Sequence, residues 1–287
     1  MPIFVALQSA EVWAHPELFE LGPDGRPTAV AGVPPDFFAE QGQRWGNPLY
    51  RWPAHAAEGY AWWIDRVRCT FELVDIVRID HFRGFAGYWE IPASEPTAMN
   101  GAWQPGPGAA LFEAIGAALG RDLPIIAEDL GVITPDVEAL RRQFGFPGMR
   151  ILHFAWGGVA AGGEPRFLPH NFEHDTVVYS GSHDNDTTRG WWAAQPEFIR
   201  HHVREYLASD GLAPHWDFIR TACASVADLA LYPLQDVMGL GGEHRMNQPG
   251  TPTGNWAWRF DWALMPPEAA ARLRRLAELY DRLPHRG

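Results

Sequence analysis

Cysteine is nearly absent. The chain has two in 287 residues, Cys69 and Cys223. Neither has a CxxC neighbour or metal-ligand spacing, which excludes a disulfide framework and a cysteine zinc site. Each lies in a helical pattern, so both are expected to be buried free thiols, pointing to a reducing compartment and a cytoplasmic location. Long apolar runs are missing as well. No run reaches the roughly 18 residues of a membrane span, and Met1-Pro2-Ile3-Phe4 lacks the charged region of a signal peptide. Basic residues are in deficit, 23 Lys and Arg against 35 Asp and Glu, for a formal net charge of -12. That balance disfavours nucleic acid and anionic membranes as partners and favours a neutral ligand. There are no internal repeats, no low-complexity tracts and no Pro/Ser/Gly linker dividing the chain.

Aromatic and apolar residues are plentiful. Apolar content is 46% and there are 14 Trp, several of them in Gly-, Pro- or Asn-rich surroundings: Trp45 in GQRWGNPLY, Trp103 in GAWQPG, Trp256 and Trp258 in GNWAWR. Rings on loops are free to stack on ligands. Core burial must still account for about half of them.

Six short apolar runs read as buried strands: Pro2–Leu7, Val74–Ile79, Pro124–Glu128, Met149–Phe154, Thr176–Gly181 and Leu229–Leu234. Helical patterns lie between them. One opens with Thr134 as N-cap and Pro135 at the first helical position. Alternation of this kind predicts an α/β fold with a parallel sheet. The exception is a stretch of about fifty residues, roughly 8–57, rich in Pro, Gly and aromatics. So long a connection predicts a functional loop.

Three of these strands end in acids. The second ends at Asp80, the third at Glu128, and the fifth runs into His183 and Asp184 of GSHDND. In a parallel barrel the C-terminal strand ends meet at one mouth, where the chemistry of that architecture is done. Singly, each acid has a structural explanation: an ion pair of Asp80 with Arg78 or Arg83, a cap from Glu128-Asp129, an Asx turn in HDNDTT. Jointly they suggest the paired carboxylates of glycosidic bond chemistry. A metal site built from His183, Asp184, Asp186 and Glu128 is the competing reading. With no HExxH, no EF-hand loop and no second His at ligand spacing, neither a metal nor a cofactor is expected.

At RIDHFRGF, IIAEDLGVITP and SGSHDNDTT the chain resembles the 4-α-glucanotransferases, also called amylomaltases or disproportionating enzymes, of glycoside hydrolase family 77 in the α-amylase clan. The likeness extends through VAGVPPDFF, GQRWGNPLYRW, FGFPGMRIL, LYPLQDVMGL and NQPGTPTGNWAWR. It implies a (β/α)8 TIM barrel that transfers α-1,4-glucan segments among maltodextrins, starch or glycogen-derived oligosaccharides, with glucose as acceptor. By motif, Asp80 falls on the nucleophile, Glu128 on the general acid/base and Asp184 on the carboxylate that stabilises the transition state. Arg78 matches the arginine two residues before the nucleophile, His183 the histidine beside the third acid, and Asn255 a block used near the glucan. The segment GVPPDFFAEQGQRWGNP resembles the loop that covers the cleft, which makes Trp45 the stacking candidate. His81 is left as structural. Phe37 stands where the family carries a Tyr and Gln8 where an Asp is usual, so subsite contacts differ.

The likeness begins inside the third barrel strand, so strands three to eight are expected in a single, incomplete barrel domain over 1–287. Open strand edges would then have to be covered by another segment. Met1 matches a position where family members carry an internal Met, so a truncated or misread start is one expectation and a natural partial barrel the other. Three functions remain open: transferase, retaining α-glucan hydrolase, and inactive glucan-binding fragment.

Overall fold

The computed structural model describes residues 1–35, 39–158, 163–251 and 253–284. They form a mixed α/β protein of two compact units, Met1–Gly148 and Met149–Gly287.

The first unit contains helices α1 (Ala10–Ala14), α2 (Trp52–Ala57), α3 (Ala61–Phe71), α4 (Ala109–Leu119) and α5 (Pro135–Gln143). Its strands are β1 (Ala29–Val33), β2 (Gln43–Pro48), β3 (Val77–Ile79), β4 (Gly87–Pro92), β5 (Ala102–Pro105) and β6 (Ile125–Ala127). Strands β3 and β6 pair in parallel, Arg78 opposite Ile126. Pro2 adds a parallel bridge to Asp80, and the Met1 amine donates to the Arg78 carbonyl at 2.6 Å. The run expected as a strand over Pro2–Leu7 thus contributes a single bridge.

The segment 8–57 differs from the loop-rich reading. Ser9 caps α1 by accepting the Val12 N–H, and β1 and β2 join β4 and β5 in an antiparallel sheet of order β2-β1-β4-β5. Trp45 and Trp103 therefore sit on strands, not on loops. Sequence alternation could not reveal this, because Gly32 and Gly46 interrupt the two strands and β4, which ties them into the larger sheet, lies far along the chain.

Beneath the sheets, Phe82, Phe85, Phe112 and Phe146 are buried and mutually packed, with ring centroids 5.1–6.0 Å apart. On α3 the buried residues are Trp63 and Val67, one turn apart. Cys69 lies off that stripe and is exposed, correcting the expectation of two buried thiols; Cys223 is buried, and both are free.

The second unit contains β7 (Gly148–Ile151), β8 (Thr176–Tyr179) and β9 (Leu229–Leu231) in that order, with β8 and β9 parallel. Its helices are α6 (Thr188–Ala194), α7 (Glu197–Leu207), α8 (Pro214–Ala224), α9 (Leu234–Val237) and α10 (Ala269–Leu279). Trp216 and Ile219 of α8 pack with Leu276 of α10. Leu229 and Leu231 are exposed, as are Val74 and Ile76 ahead of β3, so these runs are not the fully buried strands that their apolar content suggested.

Among the described residues the parallel strands do not join into one closed sheet: β3 and β6 form a two-stranded sheet, and β7, β8 and β9 a three-stranded one. No helix among them is long and apolar enough to cross a membrane.

Candidate active site

In the first unit the parallel pair brings Arg78, Asp80 and Glu128 together. Arg78 projects from β3, and its Nη2 lies 2.7 Å from Asp80 Oδ1, a half-exposed carboxylate. The chain then turns sharply. His81 adopts φ 54, a left-handed conformation that non-glycine residues rarely take. The turn directs the His81 N–H to Glu128 Oε2 at 2.6 Å, while the Leu130 N–H reaches Oε1 at 2.8 Å.

These two bonds orient the Glu128 carboxyl. Each oxygen keeps a further lone pair, so a proton has a place that the backbone does not occupy. Burial, reinforced by the Asp80 charge, pushes the Glu128 carboxyl up from 4.5 to about 7, against the smaller opposing influence of Arg78 and the two N–H donors. One acid is thus salt-bridged and open to solvent, and its neighbour holds its proton near neutrality. That division suits one group that attacks and another that donates.

Trp45 joins this cluster through His81. Its ring meets the imidazole edge-on at 4.7 Å between centroids, and its indole N–H donates to Gln43 Oε1 at 3.0 Å. Burial, with a smaller effect from Arg83, pulls the His81 imidazole down to about 3, so it is a neutral ring at physiological pH. The sequence marks His81 as structural but gives no sign that its backbone N–H holds Glu128. Asp followed by a residue forced into the left-handed region leaves no mark in residue types. Trp103, another stacking candidate, is taken up by the Arg83 guanidinium 3.8 Å above its ring.

In the second unit the loop after β8 carries His183 and Asp184. His183 Nε2 is 3.3 Å from Asp184 Oδ2, and the Asn247 amide donates to Asp184 Oδ1 at 2.6 Å. Arg245 donates to the Asp184 carbonyl at 2.5 Å and to the Asn247 carbonyl at 2.7 Å. Arg245 and Asn247 were not singled out from the sequence, although Asn247 opens the block NQPGTPTGNWAWR and Arg245 lies just before it. His183, Arg245 and Trp256 line a cavity of about 300 Å³ together with Tyr232 and Met246, the Trp256 ring 5.1 Å from His183.

Asn255 is occupied within its own turn. Its oxygen accepts the Gln248 N–H, and its amide donates to the Thr251 carbonyl. Phe37 lies outside the described residues. Among the described residues no three His, Cys, Asp or Glu side chains converge as a metal site.

The family model described as 4-alpha-glucanotransferase matches residues 1–264. The 4-alpha-glucanotransferase of Thermus thermophilus is 54% identical over 99% of this chain and 57% of its own length. That of Synechocystis is 52% identical over 98% and 56%, and the chloroplastic or amyloplastic protein of Arabidopsis thaliana is 48% identical over 99% and 49%. The chain therefore spans about half the length of the curated relatives it matches. A solved amylomaltase from Streptococcus agalactiae, in complex with acarbose, superposes with a TM-score of 0.93 at 40% identity, over 98% of this chain and 56% of that one. The amylomaltase of Corynebacterium glutamicum shares the fold, with a TM-score of 0.71 at 20% identity over 97% and 45%.

Proposed function

The chain belongs to the 4-alpha-glucanotransferase family, and from that premise we propose that it transfers α-1,4-glucan segments between maltodextrins by double displacement. In this reading it supplies strands three to eight of a (β/α)8 barrel and works in a reducing, cytoplasmic setting, which the free and exposed Cys69 suits.

Asp80 attacks the anomeric carbon and forms a glycosyl-enzyme bond as the glycosidic C–O bond breaks. Glu128 gives its proton to the departing glucan oxygen. In the second half, Glu128 takes a proton from the 4-hydroxyl of an acceptor glucan or of glucose, and that oxygen displaces Asp80 with net retention. Asp184 is the carboxylate that meets the developing positive charge, a role carried by its motif, and His183 beside it donates to a sugar hydroxyl. Trp45, Trp256 and Tyr232 offer faces for glucose rings. The segment containing Trp45 and Phe37 limits water at the intermediate, the condition that favours transfer over hydrolysis.

The observation that most supports this reading is the contrast between Asp80 and Glu128: one carboxylate paired with Arg78 at 2.7 Å, the other raised to about 7 by burial and its neighbour. The test is incubation with maltotriose. Transfer yields glucose with maltotetraose and longer products, and Asp80→Asn yields none while keeping the wild-type circular dichroism. Glucose and maltose alone would identify a hydrolase. Normal turnover by the variant would remove Asp80 from the mechanism.

A further inference from the structure

We propose that Asp236 is a positioning residue that clamps the loop carrying His183 and Asp184; the proposal rests on the reading of Asp184 as a catalytic carboxylate. Asp236 lies in α9, within the LYPLQDVMGL block that the mechanism leaves unused, and is 1% exposed. Its Oδ2 accepts the Ser180 hydroxyl at 2.6 Å and the Thr188 hydroxyl at 2.7 Å, while Oδ1 accepts the Thr188 N–H at 2.7 Å. Ser180 is the first residue after β8 and Thr188 the first of α6, and both are fully buried. One carboxylate therefore holds both ends of the segment 181–187.

The network continues from Thr188. Its hydroxyl has a single hydrogen, and that hydrogen goes to Asp236. The contact with His153 Nε2 at 3.1 Å then requires the imidazole to be the donor, which fixes the tautomer with the proton on Nε2. The ring lies flat on Trp191 of α6, 5.0 Å between centroids and 2° between planes. Its other edge faces the loop at Gly181, where an added Cβ would sit 2.6 Å from His153 Cε1. The clamp thus holds the loop at its start, through Ser180 and the His153 contact with Gly181, and at its end, through Thr188. Asn247 and Arg245 hold Asp184 itself, through its carboxylate and its carbonyl.

A buried carboxylate is costly to desolvate, and a well-packed apolar cluster of similar volume is often as stable. Three short charge-assisted bonds converging on the two ends of one loop serve a different purpose: they fix where its side chains point. A displacement of about 1 Å at a reacting group is enough to cost roughly 100-fold in rate.

The test compares Asp236→Asn, Thr188→Val and Thr188→Ser in the full chain, with Asp184→Asn alongside. The carboxamide replaces one acceptor by a donor, Val removes the hydroxyl at constant shape, and Ser keeps it. Expected are a fall in kcat of roughly 100-fold for Asp236→Asn and about tenfold for Thr188→Val, with KM for maltotriose unchanged. Thr188→Ser should match wild type. Hydrogen exchange of the 181–188 amides should accelerate in the first two variants only, and the imidazole 15N shifts of His153 should leave the Nε2-protonated pattern.

Wild-type kcat and exchange in both variants would overturn the proposal, as would a change confined to KM. Loss of cooperative folding in both would also overturn it, making the network a support of the unit rather than of the loop. Full activity in Asp184→Asn would instead sink the functional reading, and the exchange data would then decide the clamp alone.

Discussion

Replacing Glu128 by Gln separates the cost of its environment from its role in the reaction. In the folded chain its carboxyl titrates at about 7 in place of 4.5, through burial first and Asp80 second. The sign follows from which state holds the proton. Below pH 4.5 the side chain is neutral in both states and carries no penalty. Between 4.5 and 7 the unfolded chain releases the proton and the folded chain keeps it, so stability falls as pH rises, and above 7 the loss is complete. The displacement corresponds to roughly 3 kcal/mol. Gln cannot titrate and escapes this loss.

It does incur another cost. The His81 and Leu130 N–H groups lie 2.6 and 2.8 Å from the two carboxyl oxygens, so the amide NH2 must face one of them, at a cost of about 1–3 kcal/mol. That cost is the same at every pH. Urea unfolding of both proteins at pH 4, 5.5, 7 and 8.5 should therefore show Glu128→Gln the less stable in acid, with its deficit shrinking or reversing by roughly 3 kcal/mol at pH 8.5. Parallel stability curves would refute the argument that Glu128 is protonated through burial. The same proton predicts a kcat/KM that declines above pH 7 in the wild-type chain.

Two further outcomes test the surroundings of the acids. Trp45→Ala removes a half-exposed ring packed on His81 and Phe4; it should raise KM for maltodextrins about 3- to 10-fold by initial-rate kinetics, in keeping with the worth of one aromatic contact, and an unchanged KM would deny the ring a glucan contact. Gly148→Ala places a Cβ 2.5 Å from Asp129 Oδ2, a buried carboxylate facing Arg141; a loss of about 1–3 kcal/mol in urea unfolding is expected, and neutrality would mean that this packing is loose.

The sequence was readable where the signal is local and periodic. Apolar runs located β3, β6, β7, β8 and β9 to within a few residues, and Thr134-Pro135 marked the start of α5 correctly. It was least readable where pairing joins distant segments. Nothing near Gly32 announces that β1 lies between β2 and β4, and Gly and Pro, which mark turns elsewhere, here lie within strands of an antiparallel sheet. The exposure of Leu229 and Leu231 was missed because an apolar side chain reports what burial would stabilise, not whether a neighbour is present.

Acids at strand ends were visible for a geometric reason: a parallel ladder fixes which residue of one strand lies opposite which of the next, so Asp80, one residue past Ile79, falls opposite Glu128, one past Ala127. Their supports were not visible, because support comes from atoms that carry no residue identity. The N–H groups of His81 and Leu130 could belong to any residue but proline. What matters is the φ of 54 at His81, a property of the turn. Arg245, Asn247 and Asp236 are ordinary polar residues 48 to 63 positions from what they hold. In the proposed reading the chemistry lies at the ends of three strands, and the aim of Asp184 is assigned to a carboxylate in α9 that periodicity alone would place in a short polar helix. Measuring the Asp236 and Thr188 variants against Asp184→Asn asks how much of the rate belongs to the acid and how much to the residues that aim it.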